Sequence, residues 1–142
     1  MTRALFLSLK PRYARAILEG RKTIEVRRKF PVVPEGTMIV LYSSSPERAV
    51  LGTVSLKRTT RIDPSQVWNL HADAIEISKA ELTRYLHGAP ESTLLEVENP
   101  STWNTPVPLS ALRKAIGVEP PQSFRYLETA QVELMQSGVG AA

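Results

Sequence analysis

Gly20-Arg21-Lys22-Thr23-Ile24-Glu25-Val26-Arg27 is the stretch on which the fold of this chain turns. Just before it, Ala14, Ile17 and Leu18 recur at helical spacing behind Pro11, a residue suited to the first helical position. Gly20 lets the chain leave that helix through a left-handed conformation. Residues 23–27 then read as a short strand, with Ile24 and Val26 on one face and Glu25 and Arg27 on the other. Lys22 stands at the mouth of this strand. If the polar face lines a cleft, it presents a carboxylate flanked by two cations. If it faces open solvent, it is an ion-paired surface of little energetic worth.

Working outward, residues 5–9 form a first strand that runs directly into the helix at Pro11. Residues 37–42 are almost wholly apolar and read as a central strand. Residues 49–57 are a fourth, in which Gly52 marks a bulge or a close backbone approach. Asp63-Pro64 reads as a helix cap followed by proline at the first helical position. Ser78 with Glu81 three residues later reads as a capping box for a helix reaching Leu86. Residues 93–97 are a fifth strand, prolines at 106 and 108 break the chain, and residues 109–116 form a short helical turn. Residues 120–124 are extended and lead into an amphipathic stretch over 126–135. Five or six short strands without regular β-α alternation predict an α+β fold, a small partly open β-barrel with flanking helices.

The 142 residues suit a single core. There is no cysteine and there are only two histidines, which excludes disulfides, thiolate metal sites and a histidine-rich zinc site. No metal and no cofactor are expected. No apolar run approaches the ~18 residues of a membrane helix, and the N-terminal apolar stretch stops at Lys10, so neither a membrane partner nor a signal peptide is expected and the default address is cytoplasmic. Charge is split along the chain. Residues 1–61 carry 13 Lys and Arg against 4 Asp and Glu, and residues 62–142 carry 5 against 10. A basic half of this kind suggests a face that meets phosphate.

Lys10 stands where a strand meets a helix N-terminus, a natural anion site, so Lys10, Lys22 and Arg27 could converge on one phosphate or carboxylate. Tyr13, one turn into that helix, is either a stacking platform for a base or a core aromatic. Ser44 and Ser45, with Ser43 just past a buried strand, suit ligand contact or a plain turn. Arg28 belongs to a basic run that either binds or is simply solvated. His71 reads as a packed or surface residue. No second base lies near the serines, so a Ser-His nucleophile is not expected.

The G-x-K-x-x-E-x-R run, with Leu7-Ser8-Leu9-Lys10-Pro11-Arg12-Tyr13 upstream of it, resembles the ASCH domain family, whose fold is a PUA-like β-barrel. The likeness extends through residues 42–52 and 107–127, where Pro120-Pro121-Gln122-Ser123-Phe124-Arg125-Tyr126 looks like the closing segment of one ASCH subgroup. It implies a single ASCH domain over residues 1–136 with a flexible tail over 137–142. It implies binding of RNA or of a modified nucleoside or nucleotide, with Lys10, Tyr13, Arg27, Arg28, Ser44, Ser45, Gln122 and Phe124 as contacts. Family members also include ribonucleases, transcriptional or translational regulators acting through partners, and amidohydrolases that deacetylate N4-acetylcytidine. The amidohydrolase lysine falls on Lys22, but its threonine position holds Glu25, and Thr23 lies on the opposite strand face. The distal glutamate of those enzymes falls near Asp73 or Glu76. The resemblance thus carries over Lys22 alone; for any hydrolysis the residues themselves make Lys22 and Glu25 the catalytic candidates, with Glu25 as general base, its protonation set by Lys22 and Arg27.

Overall fold

The structure, a computed structural model, describes residues 3–140, with side chains placed through Ser137. In chain order the elements are β1 (Arg3–Leu9), α1 (Pro11–Leu18), β2 (Ile24–Arg27), β3 (Met38–Ser43), β4 (Ala49–Ile62), α2 (Val67–Ile75), α3 (Lys79–Leu86), β5 (Ser92–Pro108), α4 (Leu109–Ile116), β6 (Phe124–Glu128) and α5 (Thr129–Gly140). The six strands form one sheet in the order β2-β5-β4-β3-β1-β6. Only β1 and β3 pair in parallel.

Alternation along β1 and β3 explains why both read as continuous apolar runs. Leu5, Leu7, Leu9, Ile39 and Leu41 pack into one core with Ile17 of α1 and Leu51 of β4. Ala4, Phe6, Val40 and Tyr42 pack on the opposite face against Leu112 of α4 and Met135 of α5. A third cluster sets Ile24 and Val26 of β2 against Val67, Ile75, Leu82 and Leu86 of α2 and α3. The sheet is not closed. It curls until its two ends meet through a side chain: the Arg27 guanidinium at the end of β2 donates to the Ser8 carbonyl of β1 and to Ser123 Oγ just before β6. This is the α+β, partly open barrel that the sequence predicts.

Gly20 leaves α1 at φ +81°, as a left-handed exit requires. Gly52 sits where β4 loses register against β5, and a Cβ built there would stand 2.2 Å from the Ser101 carbonyl oxygen. That oxygen and the Thr102 Cα, 3.0 Å away, are strand backbone and cannot yield cheaply. Gly52→Ala is therefore expected to cost about 1–3 kcal/mol in urea unfolding, the range for forced overpacking. An unchanged midpoint would show that the two strands part freely.

Four elements differ from the sequence reading, the first being β4, which continues to Ile62, past its expected end at 57. β5 runs through Pro100 and Pro106 to Pro108, well past the expected end at 97. Beyond Glu96 it has left β2 and pairs with β4 alone, so one edge is open and prolines are tolerated. Residues 124–128, where the sequence reads an extended entry ending at 124 and an amphipathic stretch from 126, form β6 against β1. Residues 137–140, expected in a tail, continue α5, while residues 141–142 lie outside the described residues. Among the described residues, no helix is long and apolar enough to cross a membrane.

Candidate nucleic-acid site

Strand β2 carries a charged trio. Ile24 and Val26 claim the α2–α3 core, so Glu25 and Arg27 turn toward the mouth of the barrel. Glu25 is 6% exposed, Arg27 8% and Lys22 0%. Lys22 Nζ donates to the Ile75 carbonyl at 2.6 Å and stands 3.4 Å from Glu25 Oε1. Arg27 Nε stands 3.0 Å from Glu25 Oε2, a charge contact without hydrogen-bond alignment. Burial pushes the Lys22 amine below its ordinary value, and the Glu25 carboxylate opposes that shift. Charges so far from water persist only when paired.

Above the trio opens a cleft of about 740 Å³, walled by Ser8, Lys10, Tyr13, Glu25, Arg27 and Gln122 on one side and by Glu81, Arg84 and Tyr85 of α3 on the other. Lys22 lies behind this wall, with its ammonium 5.1 Å from the Tyr13 ring centre; Lys10 Nζ is 5.9 Å from the same ring. The helix N-terminus contributes less than expected. Pro11 has no N–H, and the N–H groups of Tyr13 and Ala14 return to the Lys10 carbonyl. Side chains carry the positive potential here.

Those side chains converge on Glu81. Tyr13 Oη and Lys10 Nζ donate to Oε2, the latter at 3.4 Å, and Arg12 donates to Oε1. The Tyr13 bond above all, reinforced by Arg12, holds the Glu81 carboxyl down to about 2. Burial and the bond to Glu81 push the Tyr13 hydroxyl up to about 12. A carboxyl with a depressed folded value stabilises the fold fully above its ordinary value of 4.5, and that contribution is lost as pH falls toward 2. The stability gap between wild type and Glu81→Gln is expected to hold constant at neutral pH and to narrow below about 4.5. A gap independent of pH in urea unfolding would remove Glu81 from this role.

The cleft thus gathers Lys10, Tyr13, Glu25, Arg27 and Gln122, with Lys22 directly behind. The other predicted residues lie elsewhere. Arg28 points to the far end of α3, donating to the Tyr85 and His87 carbonyls. Ser44 and Ser45 sit in the turn after β3, off the cleft wall. Phe124 packs on Phe30 at 4.6 Å between ring centres, against the core. Glu76 pairs with Arg21 at 2.5 Å, and Asp73 is exposed on α2; neither lines the cleft. Glu81, Arg84, Tyr85 and Ser123 were not singled out from the sequence. The S-x-x-E signature was present for Glu81, but it points to a local cap. Ser78 does accept from the Glu81 N–H, at 3.1 Å, while the Glu81 side chain reaches across to α1. Among the described residues, no three His, Cys, Asp or Glu side chains gather to hold a metal.

A family model described as a domain of unknown function, DUF365, matches residues 3–119. An ASCH domain-containing ribonuclease of Zymomonas mobilis is 28% identical over 134 residues, spanning 92% of this chain and 88% of the relative. The crystal structure of ASCH from Zymomonas mobilis matches with a TM-score of 0.88 at 25% identity, over 94% of each chain. Human THYN1 protein, solved in complex with 5-methylcytosine-containing DNA, matches with a TM-score of 0.59 over 96% of each chain at 12% identity, a likeness of fold.

Proposed function

Because this chain belongs to the DUF365 family and is an ASCH domain protein of PUA-like fold, we propose that its cleft binds single-stranded RNA and cleaves it beside Glu25. One observation carries the reading: a carboxylate at the floor of an open cleft, clamped between Lys22 and Arg27, under a rim of exposed cations and two tyrosines. The cations suit phosphates, and the Tyr13 and Tyr85 rings suit unstacked bases. The 28% identical relative, named a ribonuclease, supports the same reading.

In the proposed reaction, Glu25 accepts the 2′-hydroxyl proton as O2′ bonds to the adjacent phosphorus. The P–O5′ bond breaks, O5′ takes a proton from water, and the hydroxide left behind takes the proton held on Glu25, restoring the carboxylate. The products are a 2′,3′-cyclic phosphate and a 5′-hydroxyl end. Arg27 lines the cleft and offsets the growing phosphoryl charge. Lys22 is fully buried, so it acts through Glu25 as a positioning residue.

Deacetylation of N4-acetylcytidine is less well supported. Glu25 occupies the threonine position, and Thr23 is exposed and off the cleft wall.

The test is a labelled single-stranded RNA incubated with the protein and analysed for end groups, with DNA of the same sequence as control. RNA fragments ending in cyclic phosphate, with DNA intact, are expected. With about three phosphates on Lys10, Arg12 and Arg84, the log–log salt slope should be roughly −2, a loss of about 16-fold in affinity between 50 and 200 mM salt. Cleavage of both polymers would rule out 2′-hydroxyl attack. Binding without cleavage would leave a binding module, and salt-independent binding would remove the cation rim from recognition.

A further inference from the structure

We propose that Glu81 is the resident anion of this cleft: its carboxylate occupies the place of an RNA phosphodiester on Lys10, Arg12 and Tyr13, and it must withdraw before RNA seats. The inference rests on the RNA-binding reading above and adds a gate to it.

The donor set is built from a single turn. Lys10, Arg12 and Tyr13 lie at the start of α1, and their ammonium, guanidinium and hydroxyl groups meet on one carboxylate whose two oxygens are both engaged. A phosphodiester offers the same pattern, two anionic oxygens sharing one negative charge, to the same donors. Lys10 and Arg12 are 63% and 62% exposed. Arg12 rests on Tyr13, its guanidinium 4.9 Å from the ring centre and bonded to the hydroxyl, and Lys10 lies over the same ring, but ordering these long, exposed side chains still costs rotamer entropy that an attractor must offset. Glu81 is that attractor in the free protein.

The mounting of Glu81 leaves it free to retract. Its backbone N–H, not its carboxylate, completes the Ser78 cap, so a swing of the side chain does not uncap α3. The helix keeps its hold through Leu82 and Leu86 in the apolar cluster, and through the Arg28 bonds to the Tyr85 and His87 carbonyls. Withdrawal therefore costs three contacts, all of which a phosphate restores. A ligand without negative charge has no such compensation, so the same exchange discriminates for polyanions. The apparent affinity for RNA is reduced by the fraction of molecules in which Glu81 still holds the site.

The experiment measures binding of a fluorescent single-stranded 2′-O-methyl oligoribonucleotide, which lacks the attacking hydroxyl, to wild type, Glu81→Gln and the off-cleft control Glu98→Gln at 50 mM salt by anisotropy. Glu81→Ala serves as the second variant should the glutamine form fail to fold. Removing the resident carboxylate is expected to tighten binding about fivefold or more, while Glu98→Gln, the same change of charge outside the cleft, does not tighten it; equal tightening by both would reduce the effect to net charge and overturn the gate. Unchanged or weaker binding by the Glu81 variants, with salt-sensitive binding by wild type, would overturn the gate and leave the RNA-binding reading standing. Absence of RNA binding in wild type and all variants would overturn both.

Discussion

Glu25→Gln is expected to cleave single-stranded RNA about a hundredfold more slowly than wild type while binding it within about threefold. The magnitude is the low end of what a positioned general base contributes. The substitution keeps the side chain's shape but removes the charge that pairs two buried cations, so the unfolding free energy should also fall, by about 3–5 kcal/mol. The two readouts separate the roles open to a carboxylate clamped by two cations. If Glu25 were only a structural ion-pair residue, the loss of stability would be the same but the folded protein would cleave normally. Single-turnover cleavage with saturating protein keeps binding and chemistry apart.

The second large effect falls on stability and concerns Lys22. Its side chain is completely buried, its amine is bonded to the Ile75 carbonyl, and it faces Glu25. Lys22→Ala removes a buried stem, orphans a carbonyl and leaves Glu25 with Arg27 as its remaining cation partner. Breaking a buried pair from one side costs about 3–5 kcal/mol. At roughly 3 °C per kcal/mol for a domain of this size, Tm is expected to fall by about 10 °C. Lys22→Met keeps most of the volume and should recover part of that loss, and the difference between the two variants reports the packing share. A Lys22→Ala protein that melts within a degree of wild type would mean that water reaches Glu25 and replaces the ammonium.

The elements around α1 were legible because each is set by local signals. Pro11 begins the helix, Gly20 ends it, and alternation in residues 24–27 divides core from cleft. The polar pair at 25 and 27 could be read as facing together, and the structure brings both to the seam where the curled sheet meets itself. What escaped the sequence depends on partners far away in the chain. β6 is five residues long and exists as a strand through its ladder to β1, more than a hundred residues earlier. β5 runs through three prolines because its second half has an open edge, a fact about neighbours rather than composition. Glu81 shows the sharpest conflict between levels. Its spacing from Ser78 satisfies a local capping rule, and the backbone honours that rule, but the carboxylate is drawn 71 residues away to Lys10 by a concentration of donors that no local pattern reveals. Phe124 is placed by packing that no local pattern shows: the closing segment sets its ring against Phe30, 4.6 Å between centres, at the edge of the core.

The most direct test of an RNA-binding cleft at the seam of the barrel is amide chemical-shift mapping of the protein titrated with a short single-stranded RNA. The largest changes are expected at Ser8, Lys10, Tyr13, Glu25 and Gln122 and along the first turn of α3, with the α4–α5 face silent. Shifts concentrated on that face or on the β4–β5 arm, with the cleft residues unmoved, would contradict a binding cleft at the seam.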